Sequence, residues 1–498
     1  MSLLSDNARI LLSQESHPGE LLAATHALRD EFAKITGISE RAAGGDGSTV
    51  LSCGVAISPA DAARCIVDFS RTTNFLRGVR DAITDARVRF PDERIRVLYA
   101  GSGPWAPLAL PLCTHFSPGE VGFTLLDIHE ESLAGARQLV EHFGLGEFVD
   151  GFVRADATTI RLDLRPHVIV AETMQAALAK EPQLALMANL AGQLEEGGIF
   201  VPERILVHAT AVDVRAETEF APNESGIGVV TPERHEIAVL MDLTPASAGP
   251  LLASARGGRL PASNCEVPEL PPGREFQVML RTKVDVCGSW RLGDYDSGLT
   301  YPVVLGDLGT VDGGDRLEFS YRLGRRPEFE VVRHIPPRIR PIEPGDNLSV
   351  LALNLESEHF LSPMNGRRLE ELLDFGGCHR VLEVDGQVVA FIIALESGAT
   401  YDSQNYQWFN RDRSEFVYVD RVVVSAQHRG RGYASALYDE VFGFAREQVR
   451  REVVCEFNLD PPNPASQAFH ASYGFAEVGT REAGDRILSM QSATLRQR

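Results

Sequence analysis

Residues 418–438 read YVDRVVVSAQHRGRGYASALY, and this stretch decides the fold of the C-terminal part. An apolar strand over residues 418–424 is followed by the turn Arg429-Gly430-Arg431-Gly432-Tyr433-Ala434 and then by a helical run. A helix that begins at such a turn presents backbone N–H groups and the positive end of its dipole to a ligand. Gly430 and Gly432 keep side chains away from that ligand and allow a tight backbone. The turn is therefore predicted to bind a diphosphate through Arg429, Gly430, Gly432 and Ala434.

A second motif lies further along the chain, where residues 463–470 read NPASQAFH and Gly474-Phe475 follows. Together the two motifs resemble the GNAT superfamily of N-acetyltransferases over residues 338 to 490. In that family the first motif holds the pyrophosphate of coenzyme A, and the second lines the pantetheine and the acetyl group. The resemblance implies an α/β GNAT fold that uses acetyl-CoA or another acyl-CoA. It also implies that Val422 and Val424 offer backbone groups to the coenzyme arm. Asn463 is expected to bond that arm or to cap the following helix.

Two residues are candidates for the chemistry of acyl transfer. His470 stands where the family more often has the tyrosine that protonates the leaving thiolate. An imidazolium could do the same, because the unperturbed pKa of histidine is close to working pH; the alternative is that His470 only packs beside the coenzyme. Asp420, on the strand before the turn, is a candidate base for the amine. It could equally be a salt-bridge partner of Arg421 or Arg429.

The composition narrows the class of protein. A chain of 498 residues with 44% hydrophobic and 23% charged residues is typical of a globular protein, and its length suggests about three domains. The net charge of -21 argues against a nucleic-acid partner, which requires a basic face. No apolar run approaches a membrane span and the start is polar, which favours the cytoplasm. The seven scattered cysteines form no Cys-x-x-Cys pair, so free thiols and no metal site are expected.

The first half of the chain carries a second set of glycines and acids. Residues 94–200 alternate strand-like and helical runs, which predicts a mostly parallel sheet. Gly101 and Gly103 follow the first strand, where a nucleoside could approach the backbone, and Asp127 ends the second strand, where it could accept both ribose hydroxyls. Asp156 follows the third strand, within reach of an adenine amino group. An acid at a strand end can also be a simple helix cap.

This series resembles the class I methyltransferases that use S-adenosylmethionine, over about residues 55 to 335. In three sequence details the chain resembles the protein arginine methyltransferase branch of that family. Asp68-Phe69-Ser70-Arg71-Thr72 matches a motif whose arginine meets the carboxylate of the cofactor, which implies that role for Arg71. Glu172 and Glu181 have the spacing of that family's double-glutamate loop. Residues 197–204, GGIFVPER, match the exit into a β-rich domain.

Paired glutamates suit a guanidinium substrate on physical grounds. A guanidinium is planar and presents its N–H donors in a fork, so two carboxylates can grip and orient it. They would also localise its charge and leave one nitrogen richer in electrons for attack on the methyl group. The alternative is that Glu172 caps a helix and Glu181 lies on a solvated surface.

The sequence departs from the methyltransferase pattern at several points. Tyr99 stands where the family usually has an aspartate, and Trp105 follows the glycine turn, where it would stack on or crowd the cofactor. No clear Thr-His-Trp loop follows residue 205. These departures leave a small amine, amidine or guanidine as the expected substrate.

The predicted fold class is α/β multidomain, with a Rossmann-like methyltransferase sheet, a β-rich barrel or sandwich, and a C-terminal GNAT fold. The predicted segments are an N-terminal helical region over 1–54, a methyltransferase domain over 55–204, a β-rich domain over 205–335, a linker over 336–345 and an acyltransferase domain over 346–498.

Three functional interpretations follow from this organisation. The first is a bifunctional N-methyltransferase and N-acetyltransferase that acts on a small nitrogen-containing metabolite. The second is a protein arginine-type methyltransferase with an accessory acetyltransferase. The third is an acetyltransferase whose first half is a non-catalytic binding or dimerisation platform. A homodimer is expected, and neither nucleic acid nor a membrane is expected as a partner.

Overall fold

The structure is a computed structural model, and it describes residues 2–39, 47–218, 220–223, 226–229, 233–334, 337–358, 361–384, 386–460, 462–484 and 486–495. The chain divides into two compact units, Met1–His334 and Ile335–Arg498. Residue 336 of the predicted linker lies outside the described residues. Among the helices that the structure describes, none has the length and apolar character needed to cross a membrane. All seven cysteines are free thiols, as their spacing predicts.

The helices of the first unit are α1 (Ser2–Leu12), α2 (Pro18–Thr36), α3 (Pro59–Arg64), α4 (Phe69–Arg89), α5 (Glu130–Phe143), α6 (Gln183–Leu190), α7 (Val214–Thr218) and α8 (Pro245–Ser254). Its first strands are β1 (Thr49–Leu51), β2 (Gly54–Ala56), β3 (Ile95–Ala100), β4 (Val121–Asp127), β5 (Val149–Arg154), β6 (Val168–Ala171) and β7 (Ile199–Val201). The strands that follow are β8 (Arg204–Val212), β9 (Phe220–Asn223), β10 (Gly226–Val229), β11 (Arg234–Leu243), β12 (Ser263–Glu266), β13 (Phe276–Cys287), β14 (Trp290–Leu292), β15 (Val303–Val304), β16 (Thr310–Val311), β17 (Arg316–Arg322) and β18 (Glu328–His334).

A parallel sheet lies at the centre of the first unit, with the strand order β5-β4-β3-β6-β7. Strand β6 is buried along its whole length, because a parallel sheet in such a fold is covered on both faces. Its apolar run VIVA therefore shows no alternation with polar residues. The arrangement agrees with the parallel sheet predicted from the sequence, and the carboxyl ends of β3, β4 and β6 lie at one edge.

Antiparallel strands dominate residues 204–334, as their composition predicts. One sheet has the order β11-β8-β13-β14, with β15 and β16 also paired to β13, and another has the order β12-β17-β18. Whether this region is a barrel or a sandwich stays a prediction. A single hydrophobic core, however, runs from Leu4 through the parallel sheet to Tyr321. On its border, the indole N–H of Trp290 donates to Asp81 of α4 over 2.6 Å.

The second unit contains α9 (Asn347–Glu356), α10 (Gly366–Asp374), α11 (Gln404–Asn410), α12 (Tyr433–Glu447) and α13 (Pro464–Ser472). Its strands are β19 (Arg338–Pro341), β20 (Gly377–Val384), β21 (Gln387–Glu396), β22 (Phe416–Val424), β23 (Glu452–Asp460), β24 (Ala476–Ala483) and β25 (Arg486–Thr494). They form one sheet in the order β19-β20-β21-β22-β23-β25-β24. Most of the predicted linker therefore belongs to this unit, because β19 pairs with β20 and Arg340 forms ion pairs with Asp346 and Glu383.

Strands β22 and β23 are parallel, whereas their neighbours in the sheet are antiparallel. They pair only from Phe416 to Tyr418 on one side and from Glu452 to Val454 on the other. Both strands continue for several residues beyond that point. The sheet therefore splits open between them, and the cleft lies beside the glycine turn that precedes α12.

Candidate functional site

A cavity lies at the carboxyl edge of the parallel sheet in the first unit. It encloses about 1040 Å³ of empty space, counting its open mouth. The seven residues predicted for the methyltransferase half all line it: Arg71, Gly101, Gly103, Asp127, Asp156, Glu172 and Glu181. Residues scattered over more than a hundred positions of sequence thus meet in one place, because parallel strands end at a common edge.

The turn after β3 is held by Asp127. Gly101 and Gly103 have φ of 74° and 63°, which disfavours any residue with a side chain. A Cβ atom on Gly101 would lie 2.6 Å from Cγ2 of Thr173. The backbone N–H of Gly103 donates to Oδ2 of Asp127 over 2.9 Å, and that of His129 donates to Oδ1 over 2.9 Å. Each carboxylate oxygen can accept a further bond, so Asp127 remains suited to a ribose hydroxyl.

Asp156 caps the turn that follows β5, through hydrogen bonds to Thr158. Its Oδ1 accepts hydrogen bonds from the backbone N–H and the hydroxyl of Thr158, at 2.8 and 2.6 Å. This is the local capping role that any acid at a strand end can have. The side chain still lines the cavity, and its second oxygen is the one available to an amino group.

Arg71 and Glu172 form an ion pair at the cavity wall. The N-cap residue Asp68 accepts a bond from the backbone N–H of Arg71 over 3.0 Å, which fixes the start of α4. Glu172 is 8% exposed, and its Oε2 takes the arginine. Its Oε1 is buried without a hydrogen-bond partner in the described part of the chain. A buried carboxylate oxygen of this kind is unfavourable until a donor reaches it.

Glu181 lies in the same cavity and is 7% exposed. Burial raises the pKa of Glu181 to about 7, although the charge of Arg71 acts in the opposite direction. Its carboxyl group is therefore able to exchange a proton near neutral pH. The two glutamates are neither helix caps nor surface residues, and the structure brings both to one cavity.

The loop between them is held by the β-rich region, which the sequence did not reveal. Ala177, Leu178 and Lys180 have positive φ values of 55°, 54° and 63°, although none is glycine. Such backbone is strained and persists only where its surroundings hold it. Thr282 accepts the N–H of Ala177 over 2.8 Å, and the hydroxyl of Tyr321 donates to the oxygen of Leu178 over 2.6 Å.

Trp105 does not approach the cavity, which corrects the expectation that it would stack on or crowd a cofactor. Its indole N–H donates to Thr36 over 3.1 Å, and its ring packs edge-on against Phe32 of α2. This side chain therefore packs against the apolar face of α2. Tyr99 does line the cavity, and burial raises the pKa of Tyr99 well above its usual value.

A second cavity fills the cleft between β22 and β23, with about 2350 Å³ of empty space counting its mouth. It is lined by the following predicted residues of the acyltransferase half: Asp420, Val422, Val424, Arg429, Ala434, Asn463 and His470. Gly430 and Gly432 lie in the adjoining turn with φ of 78° and 82°. A Cβ atom on either glycine would meet nothing within 4 Å, so backbone conformation rather than crowding explains these glycines.

The first turn of α12 points open donors at this cleft. Gly432 is its N-cap and offers no side-chain acceptor to the N–H groups that follow. Asn463 instead caps α13, because its Oδ1 accepts the N–H of Ser466 over 3.1 Å. The capping role expected for Asn463 is thus present, and the residue also lines the cavity.

Asp420 is held as a salt-bridge partner of Arg421. Its two oxygens accept the Tyr401 hydroxyl at 2.5 Å and Nε of Arg421 at 2.6 Å. The strand pairing skips Asp420 between Arg421 and Val419, a β-bulge that lets neighbouring side chains meet. Of the two roles left open for Asp420, this geometry favours the structural one, because its carboxylate forms a buried salt bridge with Arg421.

Glu456 is a candidate base that sequence reasoning missed. It lies on β23, across the cleft from Asp420, and lines the cavity. Its Oε1 accepts bonds from Asn405 at 2.7 Å and Tyr418 at 3.0 Å, while its Oε2 is buried without a partner in the described residues. Burial raises the pKa of Glu456 to about 8. A carboxyl group with that pKa can act as a general base in its ionised form, which becomes populated as the pH approaches 8.

His470 is paired with Tyr438. Its Nδ1 lies 2.7 Å from the backbone oxygen of Ser466, which can only accept, so Nδ1 carries the proton. Its Nε2 lies 2.8 Å from the Tyr438 hydroxyl and accepts from it. Burial lowers the pKa of His470, which opposes the imidazolium form. The Tyr438 hydroxyl is therefore the proton donor of this pair, and its proton lies toward Nε2 of His470.

Comparisons with known proteins agree with this architecture in the second unit. Residues 348–475 match the model of the acetyltransferase (GNAT) family. This segment is a GNAT acetyltransferase domain. A GNAT domain takes its acetyl group from acetyl-CoA, so the chain is a transferase with that donor. A comparison with curated proteins finds no match to the chain.

Solved structures similar to the chain include Ard1 from Thermoplasma volcanium, at 20% identity, covering 33% of this chain and 100% of that chain with a TM-score of 0.27. The ribosomal-protein-S18-alanine N-acetyltransferase from Escherichia coli is 14% identical, with 32% and 96% covered and a TM-score of 0.25. Arabidopsis thaliana Naa50, in complex with the bisubstrate analogue CoA-Ac-MVNAL, is 16% identical, with 32% and 100% covered and a TM-score of 0.26.

Proposed function

We propose that the chain is a bifunctional group-transfer enzyme. In this proposal the first unit methylates a nitrogen with S-adenosylmethionine, and the GNAT acetyltransferase domain acetylates a nitrogen of a small metabolite. The observation that carries the methyltransferase half is the single cavity lined by Arg71, both turn glycines, two strand-end acids and both glutamates. A cytoplasmic location and a homodimer stay predictions.

The residues of the first cavity fit S-adenosylmethionine in chemical type. Gly101 and Gly103 leave the backbone bare for a nucleoside, and Asp127 and Asp156 offer acceptors for ribose hydroxyls and an adenine amino group. Arg71 offers a guanidinium for the cofactor carboxylate. When bound, S-adenosylmethionine supplies an electrophilic methyl group on a sulfonium.

The glutamates would then act on the methyl acceptor. Oε1 of Glu172 lacks a donor in the described residues, so an N–H of a cationic or amidine-like acceptor would satisfy it. Glu181, with its pKa of about 7, can hold or release the proton that the nucleophilic nitrogen loses. Orientation of the acceptor by these two side chains would make catalysis mostly a matter of positioning.

A binding experiment on the full chain tests the methyltransferase half. Isothermal titration with S-adenosylhomocysteine is expected to show saturable binding. Absence of binding at millimolar ligand would leave the second candidate, an acetyltransferase with a non-catalytic first unit. That candidate is favoured by Tyr99, an aromatic side chain lining the cavity where the resembling family has a carboxylate.

In the acetyltransferase half, acetyl-CoA supplies an electrophilic thioester carbon. The backbone N–H groups in the first turn of α12, which no side chain caps, suit the diphosphate of the coenzyme. Glu456 would accept the proton that the amine nitrogen loses as its bond to the acetyl carbon forms. Tyr438 would turn its hydroxyl from Nε2 of His470 to the sulfur and give it a proton as the carbon–sulfur bond breaks. Burial raises the pKa of Tyr438, which keeps its hydroxyl protonated, and His470 would position it.

Mass spectrometry identifies the acceptor and the order of the two transfers. A metabolite extract is incubated with the full chain and both cofactors, then with each cofactor alone. Mass shifts of one methyl and one acetyl group on the same compound are expected. Shifts on two unrelated compounds would contradict a shared substrate, although they would leave both activities in place.

A further inference from the structure

The cleft of the second unit is also lined by two segments that carry none of the residues predicted for the coenzyme. One is the segment after α9, through residues 357, 358 and 361–363. The other is the hairpin of β24 and β25, through Ala483, Arg486 and Leu488. Because the coenzyme residues lie on β22, α12 and α13, these two segments border the space that remains for the acetyl acceptor.

Arg486 differs from the other arginines near this space. Arg421 pairs with Asp420, Arg429 of the coenzyme turn donates to the backbone oxygen of Val424, and Arg481 of the same hairpin donates to Asn405 and Gln404. Arg486 lines the cavity, yet it has neither an ion pair nor a side-chain hydrogen bond within the described residues. Its five N–H donors form a planar fork that matches a carboxylate or a phosphate. The guanidinium of Arg486 is partly buried, lines the cavity and has no partner there among the described residues. It is therefore suited to bind an anion from the cavity.

Apart from Arg421, which is paired with Asp420, and Arg429, which belongs to the coenzyme turn, the remaining charged side chains that line this cavity are acidic. Glu456 lies on β23, and Glu358 follows α9. Glu358, and Glu456 in its ionised form, attract the ammonium form of an amine before it loses its proton. Outside the coenzyme turn, the cavity therefore offers carboxyl groups to a positive group and Arg486 to a negative group.

We propose that Arg486 binds an anionic group of the acetyl acceptor, which is therefore an amine that also carries a carboxylate or a phosphate. The proposal rests on acetyl transfer in this cleft and adds the class of its acceptor. Glu456 takes the proton from the amine nitrogen, and Arg486 fixes the opposite end of the same molecule. A simple alkylamine or guanidine would leave Arg486 without a partner.

Three conjugates test this without knowledge of the natural acceptor. Coenzyme A is linked through an S-acetyl group to glycine, to aminomethylphosphonate and to glycinamide, and each is titrated into the full chain by calorimetry. The glycine or the phosphonate conjugate is expected to bind at least about tenfold more tightly than the uncharged glycinamide conjugate, which corresponds to one good charge-assisted hydrogen bond. The stronger of the two anionic conjugates identifies the group as carboxylate or phosphate.

Arg486→Gln should reduce the preference for the anionic conjugate to within about twofold, because glutamine keeps a polar side chain without the charge. Arg367→Gln is the matched control, since Arg367 is 88% exposed and pairs with Glu371 outside the cleft. Equal binding of all three conjugates, or a preference that survives Arg486→Gln, would overturn the proposal. So would failure of every conjugate to bind while coenzyme A itself binds. If coenzyme A does not bind either, the proposed acetyltransferase mechanism fails instead.

Discussion

The hydroxyl of Tyr321 donates a hydrogen bond to the backbone oxygen of Leu178, 2.6 Å away. Tyr321 lies on β17 of the β-rich region, and Leu178 lies in the loop between Glu172 and Glu181. Both residues are buried. The β-rich region is therefore part of what positions the two glutamates, in addition to any role it has at a surface.

Tyr321→Phe should lower methyl transfer while leaving acetyl transfer unchanged. The change removes one hydrogen bond from a strained loop and leaves a buried carbonyl unsatisfied, which costs about 1–3 kcal/mol. Methyl transfer and urea unfolding of the first unit would both be measured. Tyr301→Phe is the control, because Tyr301 is 57% exposed. Full methyl transfer by Tyr321→Phe would mean that the loop is held without this bond.

Glu172→Gln should abolish methyl transfer yet leave the affinity for S-adenosylhomocysteine within a few-fold. The amide keeps the shape of the side chain but loses the charge that Arg71 and a cationic acceptor require. Calorimetry and a methyl-transfer assay separate the two effects. Glu196→Gln, at an exposed position of the same unit, should change neither. Equal loss of binding and activity would show that Glu172 supports the fold rather than the reaction.

Acetyl transfer should increase with pH through about 8, because the pKa of Glu456 is raised to about 8 and only its ionised form accepts a proton. Glu456→Gln should lower kcat/KM by about 10²–10⁴-fold and remove this pH dependence. Asp420→Asn is the discriminating variant, since it should keep the dependence on pH. A profile that disappears in Asp420→Asn but persists in Glu456→Gln would assign the base to Asp420.

The stability of the folded chain should depend on pH through the ionisation of Glu456. An ordinary glutamate in an unfolded chain has a pKa of about 4.3, whereas burial raises the pKa of Glu456 to about 8. The folded state therefore favours the protonated form, so the contribution of Glu456 to stability is greatest below about pH 4 and is lost as pH rises through about 8. Glu456→Gln should accordingly melt at a higher temperature than the parent chain at pH 9, and the difference should shrink at pH 5. No difference between the two pH values would contradict the raised pKa.

Gly432→Trp should abolish coenzyme A binding without affecting methyl transfer. Gly432 has φ of 82°, which a residue with a Cβ atom adopts only at a cost of about 1 kcal/mol or more. The indole would also cover the first N–H groups of α12. Glu447→Trp, at an exposed position near the other end of that helix, is the control for helix stability. Calorimetry with coenzyme A and a methyl-transfer assay report on the two units separately.

The parts of the site that are encoded locally could be predicted from the sequence. The turn at 429–434 is one example, because strand, glycines and helix follow each other within a short segment. The meeting of Asp127 with Gly103 is another, since consecutive parallel strands must end at one edge. The third example is Glu172 and Glu181, which follow the buried strand β6 and both line one cavity.

Other features depend on packing that no local pattern records. Glu456 sits in the run EVVCEFNLD, where it reads as an ordinary polar residue of a half-buried strand. Burial and the charge of Asp420 raise its pKa, and the residues of α11 and β22 that contact it are distant from it in sequence. Trp105 follows a glycine turn of the kind that binds ligands, yet its ring packs against Phe32 of α2 and does not line the cavity. The contacts of Thr282 and Tyr321 with the loop span more than a hundred residues.

The hydrophobic core shared by α4 and the later strands sets a practical limit on dissection of the chain. A fragment that stops near residue 204 would expose the side of α4 against which Val286 packs and would lose the anchors of the loop at Thr282 and Tyr321. Such a fragment would be prone to aggregate, and its inactivity would carry no information about the methyl-transfer chemistry. The shortest useful expression boundary for the first activity is therefore near His334, where the first compact unit ends.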